Sequence, residues 1–274
     1  MNDTVLVKSA FGEALPQQLF QVSVKLWFAV AAIGQWIFVA YILAVFYPPV
    51  AQHGMEALVD SDLPSGFVEG ESFGNLMSIA HVLLAALIIG GGPLQIIPTI
   101  RNRFPTFHRW LGRSYLLAAV SSAVGGLYMT WTRSPIGDFS MRLGISGDGI
   151  LIIVFALLAV YHAMGRRFKE HRRWALRLFL VASAVWFYRV GLLGWAMLTG
   201  GVGIDWESFT GPFLTALGFS QYLLPLAMLQ WYFHCERRPT SGGMITFSIA
   251  LFGLTAFMTL GIFAATMGMW LPRM

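Results

Sequence analysis

The chain has 274 residues, of which 57% are hydrophobic and only 11% charged, with a mean hydropathy of +0.66. A soluble globular domain carries roughly 25% charged residues, so the composition excludes that class and predicts an integral membrane protein. The net charge of +5 sits in short segments between apolar runs, where basic residues set membrane orientation rather than bind nucleic acid. The expected partner is therefore the lipid bilayer, with no nucleic acid.

Crossing a hydrocarbon core of about 30 Å takes about 20 helical residues. Runs of that kind are drawn at 22–47, 75–98, 111–131, 148–164, 174–199, 212–234 and 244–271. They are continuous rather than alternating, which selects helices over a barrel. The expectation is an all-α seven-transmembrane-helix bundle forming a single membrane domain over 1–274. The first run is too long and too aromatic (Trp27, Trp36, Phe38, Tyr41, Phe46) for a signal-peptide core, and no small-residue cleavage site follows it, so it is expected to stay as an anchor. Residues 48–74 open with Pro48-Pro49 and carry Glu56, Asp60, Asp62, Glu69 and Glu71; they are read as one long outer loop.

In this seven-span arrangement 14 of the 18 Lys and Arg residues fall on one side and nine of the 13 acids on the other. The positive-inside rule makes the basic side cytoplasmic, with the N-terminus inside and the C-terminus outside. "RFPTFHRWLGR" at 103–113 and "RFKEHRRWALR" at 167–177 align without a gap, sharing Arg, Phe, Arg, Trp and Arg at five positions. Each phrase lies in a basic turn leading into the next span, so 75–131 and 148–199 are read as two hairpins of one orientation, a parallel internal repeat, followed by the last two spans at 212–271. Basic residues with tryptophan also anchor helix ends at the headgroups, and that role is compatible with the repeat. In the last run Ser248, Thr255, Thr259 and Thr266 share one face and read as helix-packing glue. The glycines of "GGGPL" at 90–94 lie inside a helix, where close packing or a kink at Pro93 is expected.

"GPLQIIPTIRNRFPTFHRWLGRSYL", preceded by His81 and followed by "EHRRWALR" and Arg189, resembles the uncharacterised bacterial membrane family called domain of unknown function 2306. The resemblance spans roughly 75–235, and its most specific part is the His-Arg-x-x-Gly-Arg element of His108, Arg109, Gly112 and Arg113. It implies a multi-spanning helical protein of the bacterial cytoplasmic (inner) membrane with recurring histidines and arginines, here His81, Pro93, Gln95, His108, Arg109, Gly112, Arg113, His171, Arg177 and Arg189. Where the family pattern often has an acid late in the sixth span, this chain has Gln230. The family name carries no activity.

Two sets of residues could carry chemistry. Toward the basic side, His162 lies within the fourth span and His108 and His171 at span edges, with Arg109, Arg113 and Arg177 near. Bis-histidine haem b needs two imidazoles at one depth and cations for its propionates, which this set could supply; histidines bonded to helix ends or headgroups are the other reading. No metal site is expected, since no carboxylate or HxxxH spacing supports one and Cys235 is the single cysteine. In the outer half His81, Arg189 and Gln221 share a depth, Tyr128 and Tyr188 could join them, and Asp148 heads the fourth span. An ionisable residue inside the membrane is a functional-site hypothesis by default; an arginine satisfied by carbonyls and Asp148 is the architectural alternative. No phosphate-binding, hydrolase, zincin or dinucleotide motif occurs, and the seventh run has no lysine to hold retinal. Whether the chain is an enzyme stays open. The leading functional expectation is a protein binding a small redox ligand, a quinone or haem b, in the bundle and serving membrane electron transfer. The alternatives are a carrier or sensor for a small anionic solute, and a ligand-free accessory or assembly subunit of a larger respiratory or other membrane complex.

Overall fold

The structure, a computed structural model, describes residues 3–58, 67–133 and 137–274; Asp60 and Asp62 of the acidic loop lie outside the described residues. All regular elements in them are helical. They are α1 (Asp3–Val45), α2 (Tyr47–His53), α3 (Ser72–Ile96), α4 (Pro98–Arg103), α5 (Pro105–Thr132), α6 (Phe139–Met164), α7 (Phe168–Ala182), α8 (Ala184–Thr199), α9 (Pro212–Arg237) and α10 (Ser241–Ala265), the last continued by a wide turn, Thr266–Trp270, and a tight one, Leu271–Arg273. Local chemistry sets the boundaries. Ile97 and Phe104 each precede a proline and leave the helical region, at ψ 115° and 64°, so α3 and α4 stop there and Pro98 and Pro105 open the next helices at first-turn positions. The Asp138 carboxylate accepts from the Met141 N–H at 2.9 Å and starts α6. Gly200, at φ 70°, ends α8 in the left-handed region.

Five of these helices are long and apolar enough to cross a membrane, and a sixth span results if α7 and α8 act together. The run at 111–131 belongs to α5, which does not reach that apolarity because Ser114, Ser121, Ser122, Gly125, Gly126 and Thr130 dilute its aliphatic residues. The predicted outer loop is partly helical, containing α2 and a tight turn at Gly54–Leu58. The predicted fourth run starts late: α6 begins nine residues earlier, so Asp148 lies inside the helix and does not head it.

The span drawn at 174–199 is broken. α7 and α8 meet at 48° across Ser183, where the Ser183 hydroxyl donates to the Phe179 carbonyl at 2.8 Å and accepts from the Gln35 amide at 3.0 Å. Around this bent pair the other helices close. α1 packs on α3 and α10, α3 on α5, α5 on α6, α6 on α7 and α9, and α8 on α9 and α10. Val181, Ala184 and Trp186 at the bend are fully buried, and the Trp186 indole donates to the Gly34 carbonyl at 3.3 Å. Small residues permit the closest crossings: a Cβ on Gly194 would sit 3.1 Å from the Gly261 Cα, and one on Gly144 2.8 Å from the Gly218 carbonyl. Gly92 of the glycine run lies against Phe179 in the same way, at 2.9 Å. The hydroxyls of the α10 stripe bond within their own helix: Ser248, Thr255, Thr259 and Thr266 donate to the carbonyls four residues back at 2.7–2.8 Å. The stripe contributes a small, satisfied face rather than bonds across helices.

Candidate functional site

His81 is nine residues past the first of α3, Asp148 nine past the first of α6, and Arg189 ten before the last of α8. At 1.5 Å per residue each lies about 14–15 Å from the same end of the bundle. That end carries Glu71, Asp138, Asp205 and Glu207 and is called here the acid-rich end; the other carries the arginine clusters. The three side chains line one cavity of about 280 Å³ bounded by α1, α3, α5, α6, the bend of α7 and α8, and the C-terminal turns.

Each wall has a reason in its helix. α5 offers Ala119, Ser122, Ala123 and Gly126, small residues at helical spacing whose short side chains leave the space open. The His81 Nδ1 lies 3.1 Å from the Ser122 carbonyl; a carbonyl only accepts, so Nδ1 carries the proton and Nε2 is left as an acceptor. Arg189 has its guanidinium 5.4 Å from the Phe38 ring centroid and donates to the Val185 carbonyl at 3.3 Å. Among the described residues no carboxylate lies within ion-pair distance of it. Asp148 is 8% exposed, and its Oδ1, like the Ser122 hydroxyl, is buried with no hydrogen-bond partner. The cavity thus combines apolar walls, two permanent cations, Arg189 and Arg273, an imidazole acceptor and two polar groups whose bonding capacity is unspent.

The other outer-half candidates lie elsewhere. Gln221 is at matching depth but lines a different groove, and its amide donates to the Gly218 carbonyl at 2.8 Å. The Tyr188 hydroxyl is buried without a partner while its ring packs with Leu192, Leu214 and Leu217. Tyr128 is exposed and meets Phe73 edge to face at 5.2 Å. Sequence reasoning missed Phe38, Tyr41, Ser122, Met269 and Arg273, which line the cavity. The small-residue face of α5 was the available signal for Ser122. It also missed Arg133, whose side chain is 3% exposed and pairs with Glu71 at 3.1 Å, donating as well to Asn75 and to Ser78 at 2.9 Å. Gly74 makes room for that guanidinium.

At the arginine-rich end, His171 Nδ1 donates to the Ala159 carbonyl at 2.9 Å, while His108 Nδ1 and His162 Nδ1 are buried without partners. Burial first, then the charges of Arg101 and His171, hold the His108 imidazole below its ordinary pKa. Arg109 reaches Thr106 at 3.4 Å, Arg113 stacks over Trp110 at 5.0 Å, and Arg177 donates to the Gln230 carbonyl oxygen at 3.2 Å and lies over Trp174 at 4.7 Å. Among the described residues no three His, Cys, Asp or Glu side chains gather as a metal site.

No curated protein and no solved structure matches the chain. Residues 78–204, which hold His81, Ser122, Asp148 and Arg189, match the family model of DUF2306, described as a predicted membrane protein.

Proposed function

We propose that the protein binds a small redox ligand, a quinone, in the cavity between His81, Asp148 and Arg189, and serves electron transfer in the bacterial inner membrane. The observation that carries this reading is the company Arg189 keeps: a guanidinium without a carboxylate, in an apolar cavity that also holds an acceptor imidazole and an unbonded buried acid. A quinone ring suits apolar walls, and its carbonyl oxygens accept from Arg189. Reduction to the quinol takes up two electrons and two protons. Electrons come from a redox partner protein, and Asp148 and His81, which line the same cavity, pass protons to and from the ring oxygens. Haem b between the inner histidines is the other form of the redox reading, with His162 as the axial ligand drawn from within a helix. We further infer that α5 completes a seven-span bundle with its basic end in the cytoplasm, and that the α3–α5 and α6–α8 hairpins are a parallel repeat; the shared basic phrases and the length of α5 support this.

A carrier or sensor for a small anionic solute is the second reading. The break at Ser183 favours it, because interrupted helices beside a mid-membrane cavity are a recurrent feature of solute sites. Spectra of detergent-purified protein, oxidised and dithionite-reduced, together with solvent extraction of bound quinone, separate these ideas. The expected result is a protein with no Soret band that carries extractable quinone, diminished by Asp148→Asn and His81→Ala. A Soret band lost in His162→Ala supports haem instead; a protein with neither chromophore nor quinone overturns the redox reading.

A further inference from the structure

A second opening lies across α7 and α8 from that cavity and does not depend on its function. It is a groove of about 380 Å³ walled by α1, α7, α8, α9 and α10. Along α9 it reaches from Phe213 to Tyr232, about 28 Å at 1.5 Å per residue, which is nearly the whole hydrocarbon core of about 30 Å. The walls are apolar, with Trp27, Phe187, Leu217 and Leu254 among them. At its arginine-rich end stand Arg172 and Tyr232. The Arg172 guanidinium is only loosely engaged, 3.5 Å from both the Glu236 carboxylate and the Tyr232 hydroxyl, and its side chain is 46% exposed. The segments 169–177 and 230–238 that frame this mouth carry six Lys and Arg residues against two glutamates.

Charge and length together select the occupant. The mouth suits a phosphate, which accepts charge-assisted bonds from arginine. Behind it, an acyl chain of a diacyl lipid covers only half the core, about 15 Å, and leaves the other half of the groove unfilled. We propose that the groove binds a polyprenyl phosphate, the phosphate at Arg172 and the single long chain running toward Phe213.

The test uses the purified full chain in detergent, with binding followed by native mass spectrometry and by the fluorescence of the groove tryptophan. Four probes are compared: decaprenyl phosphate, decaprenol, dioleoyl phosphatidate and inorganic phosphate. Decaprenyl phosphate, long enough to fill the groove, is expected to bind at least tenfold more tightly than dioleoyl phosphatidate, a difference of about 1.4 kcal/mol, with decaprenol weaker than its phosphate and inorganic phosphate not competing. Arg172→Gln, at an exposed position, is expected to cost the phosphate about tenfold and leave the alcohol unchanged. Leu254→Trp is expected to block both chains, with Leu224→Trp on the rim as a second filling variant in case the first does not fold. Equal affinity for the diacyl lipid, indifference to Arg172→Gln, or displacement by inorganic phosphate alone would each overturn the proposal.

Discussion

Replacing Arg189 with glutamine tests whether its charge serves the fold or a ligand. Within the protein the guanidinium has a carbonyl bond at 3.3 Å and a ring face at 5.4 Å. The long bond to Val185 contributes about 1.5 kcal/mol, at the low end for a charged donor, and the cation–π contact about 1–2 kcal/mol. Against these stands the cost of holding an uncompensated cation at mid-membrane depth, several kcal/mol. The two sides nearly cancel, so Arg189→Gln is expected to change stability by less than about 1 kcal/mol, a shift of a few degrees in Tm for a chain of this size. Ligand binding loses charge-assisted bonds of about 1.5–3 kcal/mol, roughly 10- to 150-fold in affinity. Thermal unfolding followed by tryptophan fluorescence gives the first quantity; bound quinone per folded molecule, extracted and quantified, gives the second. A fall in Tm of more than about 10 °C with occupancy intact would refute the reasoning and return Arg189 to a structural role.

Reporter fusions address orientation: one placed after Arg238 is expected in the cytoplasm and one at the C-terminus outside, and finding both on one side would remove α10 as a span. Arg133→Met is expected to destabilise by about 3 kcal/mol, since it strips a buried cation from Glu71, Asn75 and Ser78, whereas Glu71→Gln costs about 1 kcal/mol because that glutamate is 48% exposed; equal effects in denaturation assays would contradict this. The depressed pKa of His108 means the unfolded chain takes up that proton first. Its contribution to stability is therefore present above the unfolded value of about 6.5 and is lost as pH falls below it. His108→Gln is expected to flatten the acid limb of a Tm-against-pH profile, and an unchanged limb would assign it to other groups.

Helix existence was legible because bilayer thickness leaves its mark on composition: α3, α6, α9 and α10 coincide with apolar runs, and prolines at 98, 105 and 212 mark their boundaries or those of their neighbours. The break at Ser183 was not legible. Neither proline nor glycine stands there, and the interruption is held by a serine bonding its own helix and a glutamine 148 positions away in sequence. The α10 stripe was legible as a packing face, with Ser248 and Thr255 buried, but the partners of its hydroxyls were not. A hydroxyl's periodicity gives the face it lies on, but whether it bonds across the interface or back to its own carbonyl is decided by how closely the neighbouring backbone approaches.

For the site, the sequence yields depth but not rotation. His81, Arg189 and Gln221 stand at matching depths because each is counted from the end of its own helix, and the count survives small errors in the boundary. Facing is less forgiving, since one residue turns a side chain by about 100°. Gln221 therefore falls on the groove between α9 and α10 while His81 and Arg189 turn to the cavity. Asp148 illustrates the converse. Placed at a helix end by its sequence neighbours, it would be a solvated cap; the glycine-rich segment before it instead continues α6 for nine more residues, with Gly144 tight against Gly218. Lengthening that helix carries the carboxylate to the level of Arg189, and so turns a surface acid into the buried partner on which the proposed proton chemistry rests.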